Sequence, residues 1–228
     1  MKGTYQQLAA RICDKWQDAK AKGQGRLIIA LAGPPGSGKS TIAEEVVALV
    51  EKSPDGPSIK LIPADGFHLP LSVLRSLPNA KEALERRGAH WTFDAVATVD
   101  LVRCLRNNTG RTQVLAPTFD HAVKDPVLDS LVVDIDTEVC IIEGNYVLVD
   151  EAPWSEISSL VDDRWLVTVD KEVARQRVAS RHLKAGIEST LHDTLLRVDN
   201  NDSLNGEYIM EHSLGKQDLL VESIEEAR

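Results

Sequence analysis

The segment Gly33-Pro34-Pro35-Gly36-Ser37-Gly38-Lys39-Ser40 constrains this chain more than any other. It fits G-x-x-x-x-G-K-[ST], the pattern of a loop that wraps a polyphosphate. Both flanks have the required character. Residues 26–32 (RLIIALA) form a short apolar run suited to a buried parallel strand. Residues 41–52 (TIAEEVVALVEK) place Ile42, Val46 and Leu49/Val50 on one helical face. Glycines let such a loop turn back on itself, so that its backbone N–H groups point inward at phosphate oxygens. The helix that begins at the loop aims the positive end of its dipole at the same anion. The expected ATP contacts are therefore Gly33, Pro34, Pro35, Gly36, Ser37, Gly38, Lys39, Ser40 and Thr41. Lys39 would reach the β and γ phosphates, and the Ser40 hydroxyl would ligate Mg²⁺.

Around this loop the pattern alternates. Strand candidates fall at 27–32, 59–63, 113–116, 138–142 and 165–169. Helical periodicity occupies 4–22, 41–52, 95–107, 154–160 and 171–185. Strands separated by helices imply a mostly parallel sheet covered on both faces. The expected fold class is α/β: a three-layer α/β/α phosphate-loop NTPase fold with a helical lid. At 228 residues a single domain is expected over 1–228. Its N-terminal helix would span about 4–22, its substrate loops about 66–94 and 117–130, and its lid about 171–190. Segment 66–94, with Gly66, Pro70, Pro78 and Gly88, reads as irregular with one short helix at most. The charged residues 222–228 read as a frayed end.

Composition removes several partners. The net charge is −9 and no basic tail is present, which argues against nucleic acid and against an anionic membrane surface. No apolar stretch is long enough to span a bilayer. Cys13, Cys104 and Cys140 are few and widely spaced, with no metal-ligand spacing. A reducing, cytoplasmic setting is expected, and no apolar signal core is seen at the start. The expected partner is a small-molecule alcohol. A second copy of the chain, as a homodimer, stays open.

In parallel α/β folds ligands sit beyond the carboxyl ends of the strands, so chemistry is sought there. After the second strand comes Pro63-Ala64-Asp65-Gly66-Phe67-His68. Asp65 can accept a proton from an attacking hydroxyl and help hold Mg²⁺; a turn-capping carboxylate is the plainer alternative. After the fourth strand comes Ile141-Ile142-Glu143-Gly144-Asn145-Tyr146, an apolar strand that ends in an acid beside the expected metal. The alternative for Glu143 is a strand-terminal acid facing solvent. On helix 171–185, Arg177 and Arg181 share a face and suit a lid that closes over a phosphoryl group. A solvated basic face is the alternative. Two loops offer substrate contacts. One is Glu85-Arg86-Arg87-Gly88-Ala89-His90-Trp91-Thr92-Phe93-Asp94, where Asp94 could simply cap the next helix. The other is Pro117-Thr118-Phe119-Asp120-His121 with Asp125-Pro126.

In this order the features resemble the phosphoribulokinase/uridine kinase family of phosphate-loop kinases, across nearly the whole chain. The carrying residues are Gly33 to Thr41, Asp65, Phe119 with His121, Glu143-Gly144, and Arg177 with Arg181. Asp65-Gly66-Phe67 and the Pro-x-aromatic-x-His pattern at 117–121 look most like the type I pantothenate kinases. ADGFH, RRGAxxTFD, FDHxxxDP, EGNY and the tail Asn200-Asn201-Asp202 with Asn205 are similar to fungal uridine kinase-like and nucleoside/nucleotide kinase-like proteins. The resemblance implies an ATP-dependent phosphotransferase with an alcohol acceptor. It implies Lys39, Asp65, Glu143, Arg177 and Arg181 as catalytic residues and Ser40, Asp65 and Glu143 around the metal. It also implies His68, Arg87, Phe119, Asp120 and His121 at the substrate. Phe119 and Asp120 stand where pantothenate kinases have Tyr and Ser, so the reaction type carries over and the acceptor does not. No N-K-x-D guanine reader and no L-S-G-G-Q motif occurs, which removes switch GTPases and ABC-type ATPases. A nucleotide-binding ATPase, or a regulatory or scaffold protein that phosphorylates no small molecule, is the alternative.

Overall fold

β1 (Leu27–Ala32) is buried at all six positions, the mark of a strand covered on both faces. Its side chains alternate. Ile28, Ala30 and Ala32 enter one apolar cluster, while Leu27, Ile29 and Leu31 enter another on the opposite face. The computed structural model describes residues 1–224 and places β1 at the centre of a five-stranded sheet. The sheet runs β2 (Ile59–Pro63), β5 (Val139–Gly144), β1, β6 (Asp163–Thr168), β7 (Leu219–Glu222), and every pairing is parallel. This is the α/β architecture the alternating pattern predicts.

Two helices cover one face. α1 (Lys2–Ala21) buries Leu8 and Ile12 against Ile42 and Val46 of α2 (Lys39–Glu51) and against Trp165 of β6. The other face carries α5 (Ala95–Asn107), α6 (Ile157–Leu160) and α9 (Asp202–Ser213). There Val102, Leu105, Ile157 and Ile209 meet Ile28 and Ile142. Parallel register lines up the carboxyl ends that matter: Ala32 pairs with Gly144, and Pro63 pairs with Glu143.

The structure corrects three expectations and adds a helix beyond the lid. Residues 113–116 are not a strand of the parallel sheet. They open β3 (Val114–Asp120), which pairs antiparallel with β4 (Asp125–Val133) in a separate two-stranded sheet. The turn between them is local. Asp120 Oδ1 accepts from the N–H groups of Ala122 at 2.7 Å and Val123 at 3.3 Å, and Lys124 takes a positive φ of 57°. A tight turn of this kind makes the next strand the natural partner. The fifth place in the sheet goes to β7. That puts Glu222 in a strand instead of a frayed end, while 225–228 lie outside the described residues. Segment 66–94 holds two short helices, α3 (Leu71–Ser76) and α4 (Ala80–Glu85), flanked by 3-10 turns at Ala64–Phe67 and His90–Thr92. Beyond the lid helix α7 (Lys171–Lys184), the chain forms α8 (Leu191–Asn200) before α9. The start of α8 has a readable signal: Thr190 Oγ1 accepts from Asp193 N at 3.1 Å, a side-chain cap.

Candidate active site

The phosphate loop leaves β1 at Gly33 and enters α2 through Gly38, which caps the helix in the left-handed conformation at φ 81°. Gly36 is also left-handed, at φ 78°. Both conformations are readily open to glycine and strained for other residues. Ser37 is fully buried in the loop, and its N–H donates to Pro34 O at 3.1 Å. Gly33 is packed so closely that a Cβ there would lie 2.9 Å from Ser37 Oγ. The predicted loop residues therefore form one compact turn at the end of the central strand.

Three strands deliver the chemistry to that turn. Lys39 opens α2, and its Nζ lies 3.8 Å from Glu143 Oε1 at the end of β5. Both side chains are nearly enclosed, at 13% and 9% exposure. Burial raises the Glu143 carboxyl above its ordinary value; Lys39 draws it down, the charge of Asp65 pushes it up, and a hydrogen bond with Ser40 draws it down. Asp65 sits in the 3-10 turn that follows β2, the neighbour of β5. Lys39, Ser40, Asp65 and Glu143 thus share one place, which their separations in sequence do not require.

This set suits magnesium. Mg²⁺ prefers hard oxygen ligands, keeps several waters, and takes one or two carboxylates together with substrate phosphates. Ser40, Asp65 and Glu143 offer a hydroxyl and two carboxylates beside the loop. No group of three or more His, Cys, Asp or Glu able to hold a metal occurs among the described residues.

The substrate-loop residues divide. Phe119, His68 and Phe93 form an aromatic group, with the His68 ring 4.0 Å from Phe93 and 4.8 Å from Phe119 between centroids. His68 Nδ1 lies 2.8 Å from Asp65 O, and burial lowers the imidazole's pKa, favouring the neutral ring. His121 is exposed and meets the edge of Phe119 at 5.2 Å. Asp120 is occupied in the hairpin turn. Arg87 donates to Asp125 at 3.1 Å, to Leu69 O at 3.3 Å and to Lys124 O, and its guanidinium lies 5.5 Å from the Phe119 ring centre. Its fork therefore clamps the hairpin to the 66–94 segment and leaves only the buried Nε without a partner. On the lid helix, Arg177 reaches back to Gly36 O at 3.3 Å and to Ser223 Oγ at 3.0 Å. Arg181, one turn further, is exposed.

Motif residues to which no site role was given frame the same cleft. Arg86 donates to Asn205 Oδ1 and Asn200 O, both at 3.0 Å, and Asn201 donates to Arg87 O at 3.2 Å. The tail motif thus fastens 86–88 to the junction of α8 and α9. Tyr146, just after Glu143, donates to Gly88 O at 2.6 Å. The run EGNY carried a hint of this, since the strand-end acid is followed at once by an aromatic with a hydroxyl.

Residues 28–185 match the phosphoribulokinase/uridine kinase family. The chain belongs to that family. It is 39% identical over 203 residues to "Putative uridine kinase C227.14" of Schizosaccharomyces pombe, covering 89% of this chain and 86% of that one. It is 30% identical over 227 residues to the ATP-dependent kinase YFH7 of Lachancea thermotolerans, covering 85% of this chain and 65% of that longer protein. Among solved structures, a "putative fructose transport system kinase" from Silicibacter sp. TM1040 superposes with a TM-score of 0.78 at 29% identity, covering 93% of this chain and 98% of the other. Membership makes this chain a phosphate-loop, ATP-dependent kinase, with Mg²⁺ the usual companion of the nucleotide. Among the described residues no helix is long and apolar enough to cross a membrane.

Proposed function

We propose that this protein transfers the γ-phosphoryl group of Mg·ATP to a hydroxyl of a small polyhydroxy molecule. The acceptor would be a nucleoside, a sugar or a small hydroxy acid. The observation that carries the reading is the gathering of Asp65, Lys39 and Glu143 at three neighbouring strand ends around one phosphate loop.

The backbone N–H groups of 33–41 and the Lys39 ammonium hold the β and γ phosphates in place, so little reorganisation is needed as charge shifts. Asp65 takes the proton of the acceptor O–H. That oxygen attacks the γ phosphorus as the bond to the β–γ bridging oxygen breaks, and ADP leaves. Mg²⁺, held by Ser40, Glu143 and Asp65, would neutralise charge on the phosphate oxygens. Arg177 stands on the lid helix next to the loop, and Arg181 is free to swing inward. His68, Phe119 and His121 line the acceptor side, and Arg87 shapes that side by holding the hairpin. Relatives named for uridine and for fructose support an acceptor rich in hydroxyls.

The test is ADP release from Mg·ATP across a panel of nucleosides, sugars, glycerate and pantothenate, with Lys39→Ala as control. Acceptor-dependent release that vanishes in the control supports the reading. Slow release that no alcohol changes would turn it toward an ATPase or a scaffold. In the active pairing, Asp65→Asn lowers kcat by about 100-fold or more with little change in ATP affinity, the scale of a positioned base.

A further inference from the structure

Lys39, Glu143 and Asp65 mark the end of the phosphate loop at which the terminal phosphate sits. Gly38 and Thr41 border a separate space that none of these three residues lines. A cavity of about 410 Å³ opens there. Small-molecule sites run from about 300 to 1,000 Å³, so the space suits a nucleoside. Thr41, Ile42 and Glu45 of α2 form its floor. Arg177 of α7 and Ser223, just past β7, form one wall, and the 3.0 Å hydrogen bond between them keeps that wall in place. The opposite wall is the beginning of α1, through Lys2 and Tyr5.

This wall is firmly seated. Leu8 and Ile12 anchor α1 in the same apolar cluster as Ile42 and Val46 of α2, so the first turn of α1 and the start of α2 stand at a fixed separation. The lining also has the right chemistry. A nucleobase presents flat apolar faces and polar edges. Tyr5 and Ile42 offer apolar surface, the Arg177 guanidinium offers a planar cation, and Thr41, Glu45 and Ser223 offer polar groups. Lys2, Tyr5 and Ser223 all lie outside residues 28–185, the span that matches the family.

We infer that the first turn of α1 is part of the nucleotide site, with Tyr5 and Lys2 forming the wall against which the nucleoside half of ATP packs, opposite Arg177. The inference rests on the kinase reading of the loop and adds to it a specificity-determining element. α1 then has two tasks: it covers one face of the sheet, and its leading end recognises the donor.

Binding of Mg·ATP and of Mg·tripolyphosphate to the full chain separates the two halves of the ligand. Tyr5→Leu keeps apolar packing on α2 and removes the ring, and Tyr5→Ala removes both. Thermal melting checks that each variant is folded. Loss of a base–aromatic contact corresponds to a weakening of ATP binding of about tenfold, with tripolyphosphate within about twofold of the unaltered chain. Equal weakening of both ligands, or no change in either with Tyr5→Leu, overturns the inference and leaves the kinase reading standing. Unchanged ATP binding in Lys39→Ala overturns both, because the loop would then not be where the phosphates bind.

Discussion

Glu143 meets two opposed demands. The proposed mechanism needs a carboxylate beside Lys39 and the metal, while folding resists a charge at a site where the side chain is 9% exposed. Burial wins and raises the Glu143 carboxyl above its ordinary value of 4.5, although Lys39 and Ser40 pull the other way. The sign for stability follows. A carboxyl whose folded value is raised supports the fold most below its unfolded value, and that support is lost as pH climbs through the folded value. Glu143→Gln removes the titration. The melting temperature of E143Q minus that of the unaltered chain, both without nucleotide, is therefore expected to grow as pH rises above about 4. Kinase activity falls in the same variant. A flat or shrinking difference would show that Lys39 fully compensates the buried charge.

At this scale the sequence is read well where spacing carries the meaning. Lys39 and Ser40 follow from a fixed motif, and Asp65 and Glu143 follow from acids placed at strand ends. It is read poorly where a side chain's role depends on which partner the fold gives it. Arg87 and Asp120 have the right chemistry for a substrate, yet one is engaged by Asp125 and the other by its own turn. Nothing within a few residues of Arg87 announces Asp125 as its partner.

Among the elements, the phosphate loop and the lid helix make a close backbone approach. A Cβ added at Gly36 would come within 2.5 Å of Ala174 O on α7, and φ at Gly36 is 78°. Gly36→Ala therefore must shift the loop, the helix or both. Strain of this kind costs about 1–3 kcal/mol, and the expected result is a loss of ATP affinity of about 5- to 150-fold, measurable by titration. The hairpin answers to a different variant. Arg87→Ala releases β3–β4 from the 66–94 segment, so the acceptor KM rises while ATP affinity stays within about twofold, since no phosphate-loop residue touches the clamp. A change in ATP affinity with an unaltered acceptor KM would place Arg87 elsewhere in the mechanism. The β-loop-α units around the site were legible because continuous apolar strand runs and the helix period of 3.6 both persist there. β3–β4 and α8–α9 were not. The hairpin includes Pro117 and a register shift between Ala116 and Thr118, which breaks the alternation, and α8 and α9 bury only two or three side chains apiece.

The whole molecule is one sheet with a core on each face, and each core takes side chains from the same strands. Ile28 and Ile29 are neighbours in sequence and belong to different clusters. Neither face can open without stripping the strands that the other needs, so the two cores should unfold together. Trp165 reports one face and Trp154 the other, both buried. Tryptophan emission and far-UV circular dichroism are expected to trace a single urea transition with coincident midpoints. The lid region sits differently. Val178, Ala179 and Val198 form a small cluster of their own, and α7 is tied to the body by the ion pair of Lys171 with Glu207 of α9 and the contact of Arg177 with Gly36. Few buried apolar contacts mean a low free energy of local opening. Amides of α7 and α8 are therefore expected to exchange with solvent well before those of β1 and β5. ATP closes the gap from one side only. In the proposed complex it meets the loop and Arg177, so α7 should gain protection while α8 changes less. Equal protection across α7, α8 and β1 without nucleotide would mean that the lid is built into the main core, and that substrate entry requires something other than its opening.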